Sequence, residues 1–493
     1  MGAVPLYYNR LPPILQEDGV NFVIIGAKSD ENSGDLRKIL KTACISGRFV
    51  LYLFFVGIDL NGNVWHCCNR KDIDMKMRKL LACLTACLML SAAGCGSASL
   101  NDPSHAVTSG ITDERTGTAS AESTAEETTE EPTEAGKNGR ISFLAVGDNL
   151  IHTSVYRTAA EHAEAGENYN FGYCYQYVAD KIKNADLSFI NQETVICGGE
   201  FEISGSNLNF CSPDELGDEL MDLGFDIVNL SNNHILDKGS AGMRACLDYW
   251  DGQVEKHPGL IVEGVYRDYQ DMFNYRTTEV NGITVGVLGY TDHTNGYSLP
   301  SDSEMRIPYT NEEELIKEQV SDLKNQVDCV VVSTHWGVED THTIPQESKD
   351  LAQKLINWGA DVVIGTGPHT LQSMEYLSRP DGSQGFVYYS LGNFISGQTD
   401  NFNMVGGMAL FDIVMTNGEL TIENPKLTPV ITQYETGSLQ NERVVPYYLY
   451  TDEMAANHGI PYSPMGTAKN WGWDVINNIV QNNVPEEYQQ LEE

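Results

Sequence analysis

Five side chains that can bind a divalent metal stand at polar breaks that directly follow apolar segments of this chain. They are Asp148, Glu193, Asn233, His335 and His369. Carboxylate, amide and imidazole donors in one set suit hydrolytic ions such as Mn, Fe or Zn, and a carboxylate can bridge two ions. Taken alone, each residue is better explained by a polar loop that satisfies backbone groups. Their shared position after apolar segments favours a site for one or two ions per chain.

Asn233 and His234 lie between a predicted strand at 225–230 and a predicted helix at 239–250. The imidazole of His234 can bind a metal or move a proton. Asp237 stands near the start of the helix, where its carboxylate can cap free N–H groups. Open α/β sheets bind their ligands at the carboxyl ends of strands. This loop is therefore the predicted centre of the site.

The elements that must position these residues are predicted from apolar periodicity. Strands are expected at 141–146, 187–190, 225–230, 283–290, 329–334, 361–364, 386–391, 408–415 and 419–422. Helices are expected at 172–184, 213–223, 239–250, 312–326 and 345–358. Asn-Gly pairs at 281–282 and 417–418 predict hairpins. Strands that alternate with helices, together with hairpins, predict an α/β domain in which two mixed sheets pack face to face with helices outside.

Residues 75–95 have the pattern of a bacterial lipoprotein signal peptide. Three basic residues precede the apolar stretch 80–93, and a small-residue segment ends at Cys95. A short buried helix is the alternative interpretation of the apolar stretch. A membrane span is not expected, because it needs about 20 apolar residues. We expect Cys95 to be acylated and to hold the mature protein on the extracytoplasmic face of the cell membrane.

The segments on either side of this signal are predicted to lie outside the folded domain. Residues 1–74 have no assigned role and fit an over-extended gene start, because secretory signals act at the amino terminus. Residues 96–139 are rich in Ser, Thr and Glu, with few large apolar residues, so we expect a disordered stalk. The folded domain is placed at 140–435, and 436–493 is a weakly patterned C-terminal extension.

Charge and cysteine content limit the partners and the cross-links of the chain. The formal net charge is -38 at pH 7, and nucleic-acid binding requires clustered basic residues, so we expect no nucleic-acid partner. The cysteines after Cys95 stand at 174, 197, 211, 246 and 329, without the paired spacing of a metal site. At most two disulfides can form among them, and Cys329 in a predicted buried strand is expected to be a plain apolar residue.

Six motifs of the folded domain occur in a specific order. They are Gly147-Asp148, Asn191-Gln192-Glu193-Thr194, Asn232-Asn233-His234 with Asp237 and Gly239, His335-Trp336-Gly337 with Glu339, Gly365 through Gln372, and Ser390-Leu391-Gly392-Asn393-Phe394. Together they resemble the bacterial capsule-synthesis CapA family, which is associated with poly-γ-glutamate. The resemblance extends from about Ile141 to about Val430. It implies a four-layer α/β/β/α sandwich like that of calcineurin-like metallophosphatases.

The resemblance also implies roles for the metal-binding candidates. Asp148 and His369 would hold one ion. Asn233 and His335 would hold the other, and Glu193 would bridge the two. The cofactor is then one or two divalent ions, with Mn, Fe or Zn as the expected identities.

A catalytic role is implied for two further residues. His234 would act as acid or electrophile beside the scissile bond, and Asp237 would orient it. We expect a metal-dependent hydrolase that cleaves a phosphoester or amide bond in a capsule or cell-wall polymer such as poly-γ-glutamate. A bound metal lowers the pKa of water towards neutrality, which would supply the nucleophile. The alternative is a non-catalytic, polymer-binding or assembly component of a capsule synthesis or export complex, in contact with other capsule-synthesis membrane proteins.

Two positions depart from the family pattern. Gly367 stands where the family usually has the first histidine of His-Pro-His, and Leu150 stands where the metallophosphatases have the histidine of Asp-x-His. The second ion would keep three protein ligands, so we expect nearer one tightly bound ion than two, and we expect Gly367→His to raise the count. The alternatives are that Gly367 serves a positive φ angle, or that His152 or Glu339 fills the gap.

Overall fold

The computed structural model describes residues 136–206, 209–435 and 439–493, together with the backbone of two short strands. The two short strands, Val56–Ile58 and Val64–His66, pair antiparallel. They belong to a unit that is separate from the folded unit at Ala125–Glu493. The predicted signal peptide with Cys95 and the predicted stalk up to residue 135 lie outside the described residues.

Strands and helices alternate through the folded unit. The strands are β1 (Gly139–Leu150), β2 (Leu187–Asn191), β3 (Ser204–Gly205), β4 (Phe210–Cys211), β5 (Ile227–Asn229), β6 (Ile261–Glu263), β7 (Thr277–Val280), β8 (Ile283–Thr291), β9 (Cys329–His335), β10 (Val362–Thr366), β11 (Met374–Ser378), β12 (Gln384–Tyr388), β13 (Asn393–Ser396), β14 (Val405–Thr416), β15 (Glu419–Glu435) and β16 (Gln440–Pro446). The α-helices are α1 (Thr153–Glu161), α2 (Gly172–Tyr175), α3 (Ala179–Asn184), α4 (Asp214–Asp222), α5 (Gly239–Lys256), α6 (Glu313–Lys324), α7 (Gln346–Trp358), α8 (Asp452–Asn457) and α9 (Trp473–Asn483). Within the described residues, none of the helices combines the length and the apolar character that a membrane crossing requires.

Two mixed sheets form the centre of the unit. The first has the order β16-β15-β14-β1-β2-β5-β6, with β13 paired to the end of β1. The second has the order β11-β12-β10-β9-β8-β7. Strands β1, β2, β5 and β6 are parallel to one another, as are β8, β9, β10 and β12. Both sheets therefore have an edge at which the carboxyl ends of parallel strands meet.

The alternation of side chains along the strands builds three apolar layers. Phe143 of β1 and Val331 of β9 lie in the core between the two sheets. Leu144, the next residue of β1, points to the opposite face and packs with the first sheet's helices. Val332 likewise belongs to the core between the second sheet and helices α6 and α7. The predicted α/β/β/α sandwich is confirmed.

Strand β1 is longer than the sequence predicts and contains Asp148. The prediction ended this strand at Val146, because Gly147 breaks the apolar pattern. The structure continues to Leu150, since β13 pairs with its last residues and Asn393 lies opposite Asp148. The register of β1 against β2 shifts between Val146 and Asp148. Such a bulge turns a side chain towards a new direction, and here it places Asp148 at the carboxyl edge of the sheet.

Two further predictions have different outcomes. Both Asn-Gly hairpins are confirmed, and Asn281 has the positive φ of 50° that a tight hairpin turn requires. The single helix predicted at 172–184 is wrong, because the structure divides it into α2 and α3. Tyr175 at the end of α2 is fully buried and donates a hydrogen bond to Oδ1 of Asn149 at 2.8 Å.

Residues beyond Glu435, which the sequence assigns to a C-terminal extension, complete the first sheet through the pairing of β16 with β15. His458 in this segment is fully buried. Its Nε2 lies 3.0 Å from the carbonyl oxygen of Thr432, and its Nδ1 accepts a hydrogen bond from the backbone N–H of Ile460 at 3.1 Å. Both ring nitrogens are therefore satisfied when the imidazole is neutral.

We expect His458 to make the folded unit acid-sensitive. Burial lowers the pKa of His458 from 6.5 to about 3, so below pH 6.5 the unfolded chain binds a proton that the folded chain excludes. Stability should fall by about 1.4 kcal/mol for each pH unit between 6.5 and 3. Denaturant unfolding at pH 7 and pH 5 should show a smaller loss for His458→Gln than for the wild type. An equal loss in both proteins would contradict this role.

Candidate metal centre

The predicted metal-binding residues meet at the carboxyl edges of both sheets. Asp148 comes from β1 of the first sheet, and His369 follows β10 of the second. Nδ1 of His369 lies 3.1 Å from Oδ2 of Asp148. Together with Glu193, which follows β2, they offer ligand atoms that all lie within 4.8 Å of one another, and all three residues are buried. The structure thus brings together residues that are up to 221 positions apart in the chain.

Glu193 lies at the centre of this cluster. Its Oε1 is 3.7 Å from Nε2 of His335, 3.7 Å from Nε2 of His369 and 3.9 Å from Nε2 of His234. Glu193 is 0% exposed, and neither of its carboxylate oxygens has a hydrogen-bond partner. An ionised carboxylate is not stable in such a place without a compensating cation.

A chain of amides supports Asp148. Asn229 donates to Oδ1 of Asn191 at 2.8 Å, and Asn191 donates in turn to Oδ1 of Asp148 at 2.8 Å. The backbone N–H of Gly367 donates to Oδ2 of Asp148 at 3.2 Å. Asn191 and Asn229 were not predicted from the sequence as site residues. Their signal was an asparagine as the last residue of two neighbouring strands.

His335, the last residue of β9, faces both carboxylates. Its Nδ1 lies 3.8 Å from Oδ1 of Asp148 and 3.1 Å from Oγ1 of Thr366. Burial lowers the pKa of His335 to about 3, against the attraction of Asp148. The ring is therefore neutral at pH 7, which is the form that binds a metal.

Protons are shared within the metal-free cluster. Burial opposes charge on Asp148, yet its contact with His369 lowers the pKa of Asp148. Burial also opposes charge on His369, but Glu193 and Asp148 together raise its pKa to about 10. Burial raises the pKa of Glu193 well above its usual value, although His369 opposes the shift. Glu193 and His369 thus compete for a proton, and a divalent cation that binds here would release it.

Asn233 directly precedes His234 in the loop after β5 and is 2% exposed. Its Nδ2 lies 3.5 Å from Oδ1 of Asn295 and 3.5 Å from Oε1 of Glu339, whereas its buried Oδ1 has no partner. An amide held in this way leaves its oxygen free as a metal ligand. The unpartnered oxygens of Glu193 and Asn233, with the neutral ring of His335, fit a divalent cation.

His234 is held by Asp237 beside this cluster. Nδ1 of His234 lies 2.9 Å from Oδ2 of Asp237, and its Nε2 faces Glu193. The same carboxylate oxygen accepts a hydrogen bond from the backbone N–H of Phe210 at 2.8 Å. The prediction that Asp237 caps the following helix is wrong, because α5 has no side-chain cap and the carboxylate turns to His234 instead. A carboxylate on Nδ1 fixes the tautomer and aims Nε2 at the cluster.

A disulfide lies next to this contact. Cys197 is bonded to Cys211, the neighbour of Phe210, while Cys174, Cys246 and Cys329 are free and buried. The expectation that Cys329 is a buried apolar residue agrees with its full burial. The ring of Phe210 packs edge-on against His234, with centroids 4.7 Å apart. The disulfide thus lies directly next to Phe210, the residue whose ring packs against His234.

The structure also bears on the two departures from the family pattern. Gly367 has φ of 103°, where a Cβ is penalised, and a Cβ would lie 3.1 Å from the backbone N of Trp336. The alternative that glycine is required for its backbone is therefore favoured over an easy Gly367→His exchange. Nδ1 of His152 accepts a hydrogen bond from the backbone N–H of Gly397 at 3.1 Å. His152 is outside the group of three that share ligand distance.

The fold and the cluster together define a class: an α/β/β/α sandwich with a buried centre for a divalent cation at the carboxyl edge of its sheets. The family model described as "Bacterial capsule synthesis protein PGA_cap" matches residues 142–398. The chain therefore belongs to this capsule-synthesis family. The matched range contains all seven candidate site residues and ends before β14.

Two relatives carry the CapA name. The chain is 27% identical over 298 residues to "Capsule biosynthesis protein CapA" of Bacillus anthracis, which covers 57% of this chain and 68% of that protein. It is 32% identical over 190 residues to "PGA biosynthesis protein CapA" of Bacillus subtilis strain 168, which covers 36% of this chain and 44% of that protein. The family resemblance seen in the motifs is confirmed.

Solved structures with a related outline include nucleotidases and phosphatases. The NAD nucleotidase of Haemophilus influenzae is 14% identical, with a TM-score of 0.37, and the match covers 72% of this chain and 58% of that one. A phosphatase from Mycoplasma pneumoniae is 14% identical, with a TM-score of 0.35, and the match covers 60% of this chain and 94% of that one. The assignment of the α/β/β/α sandwich follows from the layers of this protein and does not depend on these TM-scores.

Proposed function

We propose that this protein is a metal-dependent hydrolase that acts in capsule synthesis. The observation that carries the proposal is Glu193, a fully buried carboxylate without a hydrogen-bond partner and with three imidazole nitrogens within 3.9 Å. Asp148 and His369 would hold one ion, Asn233 and His335 the other, and Glu193 would bridge them. A bound ion would polarise the scissile group and lower the pKa of a nucleophilic water.

The remaining chemistry would come from His234. Asp237 holds its Nδ1, so Nε2 is the nitrogen that can give a proton to a leaving group beside the cluster. This arrangement suits hydrolysis of a phosphoester or of an amide, because the leaving group of each reaction is an oxygen or a nitrogen that must be protonated.

The substrate is proposed from the family. The relative in Bacillus subtilis is named for PGA biosynthesis, and we propose a capsule or cell-wall polymer, with poly-γ-glutamate as the first to test. Capsule-synthesis membrane proteins are the proposed protein partners. The net charge of -38 would repel a polyanion from most of the protein surface. We therefore propose that the polymer contacts the protein only close to the metal centre.

Turnover assays with purified residues 96–493, which lack the proposed lipid-bearing Cys95, test the activity. A chromogenic phosphodiester and a γ-glutamyl polymer should be screened with Mn²⁺, Fe²⁺ or Zn²⁺ present. We expect hydrolysis of one substrate class that disappears with chelator and in His335→Ala. Binding of the polymer without turnover of either substrate would instead support the non-catalytic, assembly role.

We also propose that the protein is lipid-anchored at Cys95 on the extracytoplasmic face of the cell membrane. The Cys197–Cys211 disulfide supports an oxidising compartment. The native protein should partition into detergent with an acyl group on Cys95, and Cys95→Ser should release it or leave it unprocessed. A native protein that begins at Met1 and is found in the cytosol would contradict the anchor.

A further inference from the structure

Gly367 leaves the second ion position one donor short. A Cβ built on Gly367 would lie 3.2 Å from Nε2 of His335, so this position faces the same volume as that imidazole. Glu193, Asn233 and His335 would then supply three protein donors, which leaves three of the six positions around an octahedral Mn²⁺ open. A further donor from the chain would fill one of them.

The loop from Gly337 to Asp340 packs directly on the segment that carries Gly367. The backbone N–H of Asp340 donates to the carbonyl of Pro368 at 2.9 Å, and its side chain accepts from Asn403 at 2.9 Å. At the other end of the loop, the backbone N–H of Gly337 donates to Oδ2 of Asp292 at 2.7 Å. Both ends of the loop are held by hydrogen bonds, so Val338 and Glu339 between them stand on a fixed backbone.

Glu339 lies in this loop, and its carboxylate contacts Asn233, one of the residues proposed for the second ion. Its Oε1 lies 3.5 Å from Nδ2 of Asn233, and its charge acts on both Glu193 and His369. The residue is exposed, and among the described residues no basic nitrogen lies within 4.0 Å of its carboxylate. No competing ion pair therefore holds this carboxylate away from a cation beside Asn233.

We propose that Glu339 is a ligand of the second ion and supplies the donor that Gly367 lacks. The inference rests on the proposed function, because it concerns the same metal centre. It also changes the chemistry of that position. A carboxylate in place of an imidazole favours Mn²⁺ over Zn²⁺, so the second position should be the more selective for Mn²⁺.

Metal titration of the purified full-length chain tests the proposal without an activity assay. Metal-free wild type, Glu339→Gln, His152→Ala and Glu347→Gln should each be titrated with Mn²⁺ by calorimetry. Electron paramagnetic resonance should follow the exchange-coupled Mn–Mn signal in the same samples. Glu347 is an exposed carboxylate in the first turn of α7, so its substitution makes the same charge change away from the site.

The wild type should bind two Mn²⁺ ions, the second more weakly. Glu339→Gln should weaken the second ion by at least about tenfold to a hundredfold, the loss seen when even an indirect metal partner is removed. It should also abolish the coupled signal, with the first ion unchanged and with Glu347→Gln and His152→Ala like the wild type. Two ions bound equally by Glu339→Gln, or a second ion lost from His152→Ala instead, would overturn the assignment. If the wild type binds one ion, the role of Glu339 is wrong but the proposed function stands. If the wild type binds none, the role of Glu339 and the proposed function are both wrong.

Discussion

Glu193→Gln is expected to lose bound metal and activity together. The amide keeps the size of the side chain but removes the charge on which both ion positions depend. We expect metal affinity to fall by at least about a hundredfold, the upper end of what is lost with an indirect partner. Elemental analysis after dialysis should find less than half the wild-type metal, and turnover should fall in proportion.

The same substitution should stabilise the metal-free protein. Burial raises the pKa of Glu193, so above its unfolded value of 4.5 the unfolded chain is ionised while the folded chain keeps a proton. Stability of the metal-free wild type should therefore decline as pH rises above 4.5. Glu193→Gln removes this decline. Chelated Glu193→Gln should unfold at higher denaturant concentration than chelated wild type at pH 7, while the order reverses with metal present.

Glu442 offers a matched control. It is as buried as Glu193, and burial raises its pKa to about 8. It lies outside the described group of carboxylates and imidazoles that can share an ion. Glu442→Gln should also stabilise the chelated protein but should leave metal content and turnover unchanged. If both variants lost metal equally, a general loss of structure would be the cause and the role of Glu193 would be wrong.

The sequence predicted those parts of the site that have a local signal. Glu193, Asn233 and His369 each follow an apolar segment, and the end of a parallel strand is a fixed place in an α/β fold. Asn229 and Asn191 were not assigned, because they belong to the strands themselves and their role depends on which strands are neighbours. That order is set by long-range packing, which leaves no periodic pattern in the chain.

Contacts between loops across the two sheets leave no local pattern either, although Glu339 was named from the sequence as a residue that could fill the gap at Gly367. Asn295 and Glu339 both approach Asn233, although 62 and 106 residues separate them from it. The helix cap predicted for Asp237 from its position is wrong, because its carboxylate contacts His234, the partner implied by the family resemblance, and the backbone of Phe210, 27 residues earlier. Periodicity also predicted only 419–422 of β15, which extends to Glu435 through a change of register against β14.

His234→Ala is expected to lower turnover by about 10²–10⁴-fold, the usual contribution of a positioned acid or base, while metal content stays near the wild-type value. His335→Ala is the contrast, because its ring faces both carboxylates and it should lose metal as well. His234 lies 3.9 Å from Glu193, and His335 lies 3.7 Å from it. These two distances are too similar to distinguish a proton donor from a metal ligand. The metal content of the two variants must distinguish them.

The separation follows from what holds each ring. Nδ1 of His234 is held by the Asp237 carboxylate, which is itself fixed by the Phe210 backbone, so Nε2 is the nitrogen that faces the cluster. Among the described residues, Nδ1 of His335 has Thr366 and Asn191 within hydrogen-bond distance, and burial lowers its pKa to about 3, so it stays neutral. Turnover should therefore fall in His234→Ala and in Asp237→Asn at constant metal content. Equal metal loss in His234→Ala and His335→Ala would show that both rings are ligands.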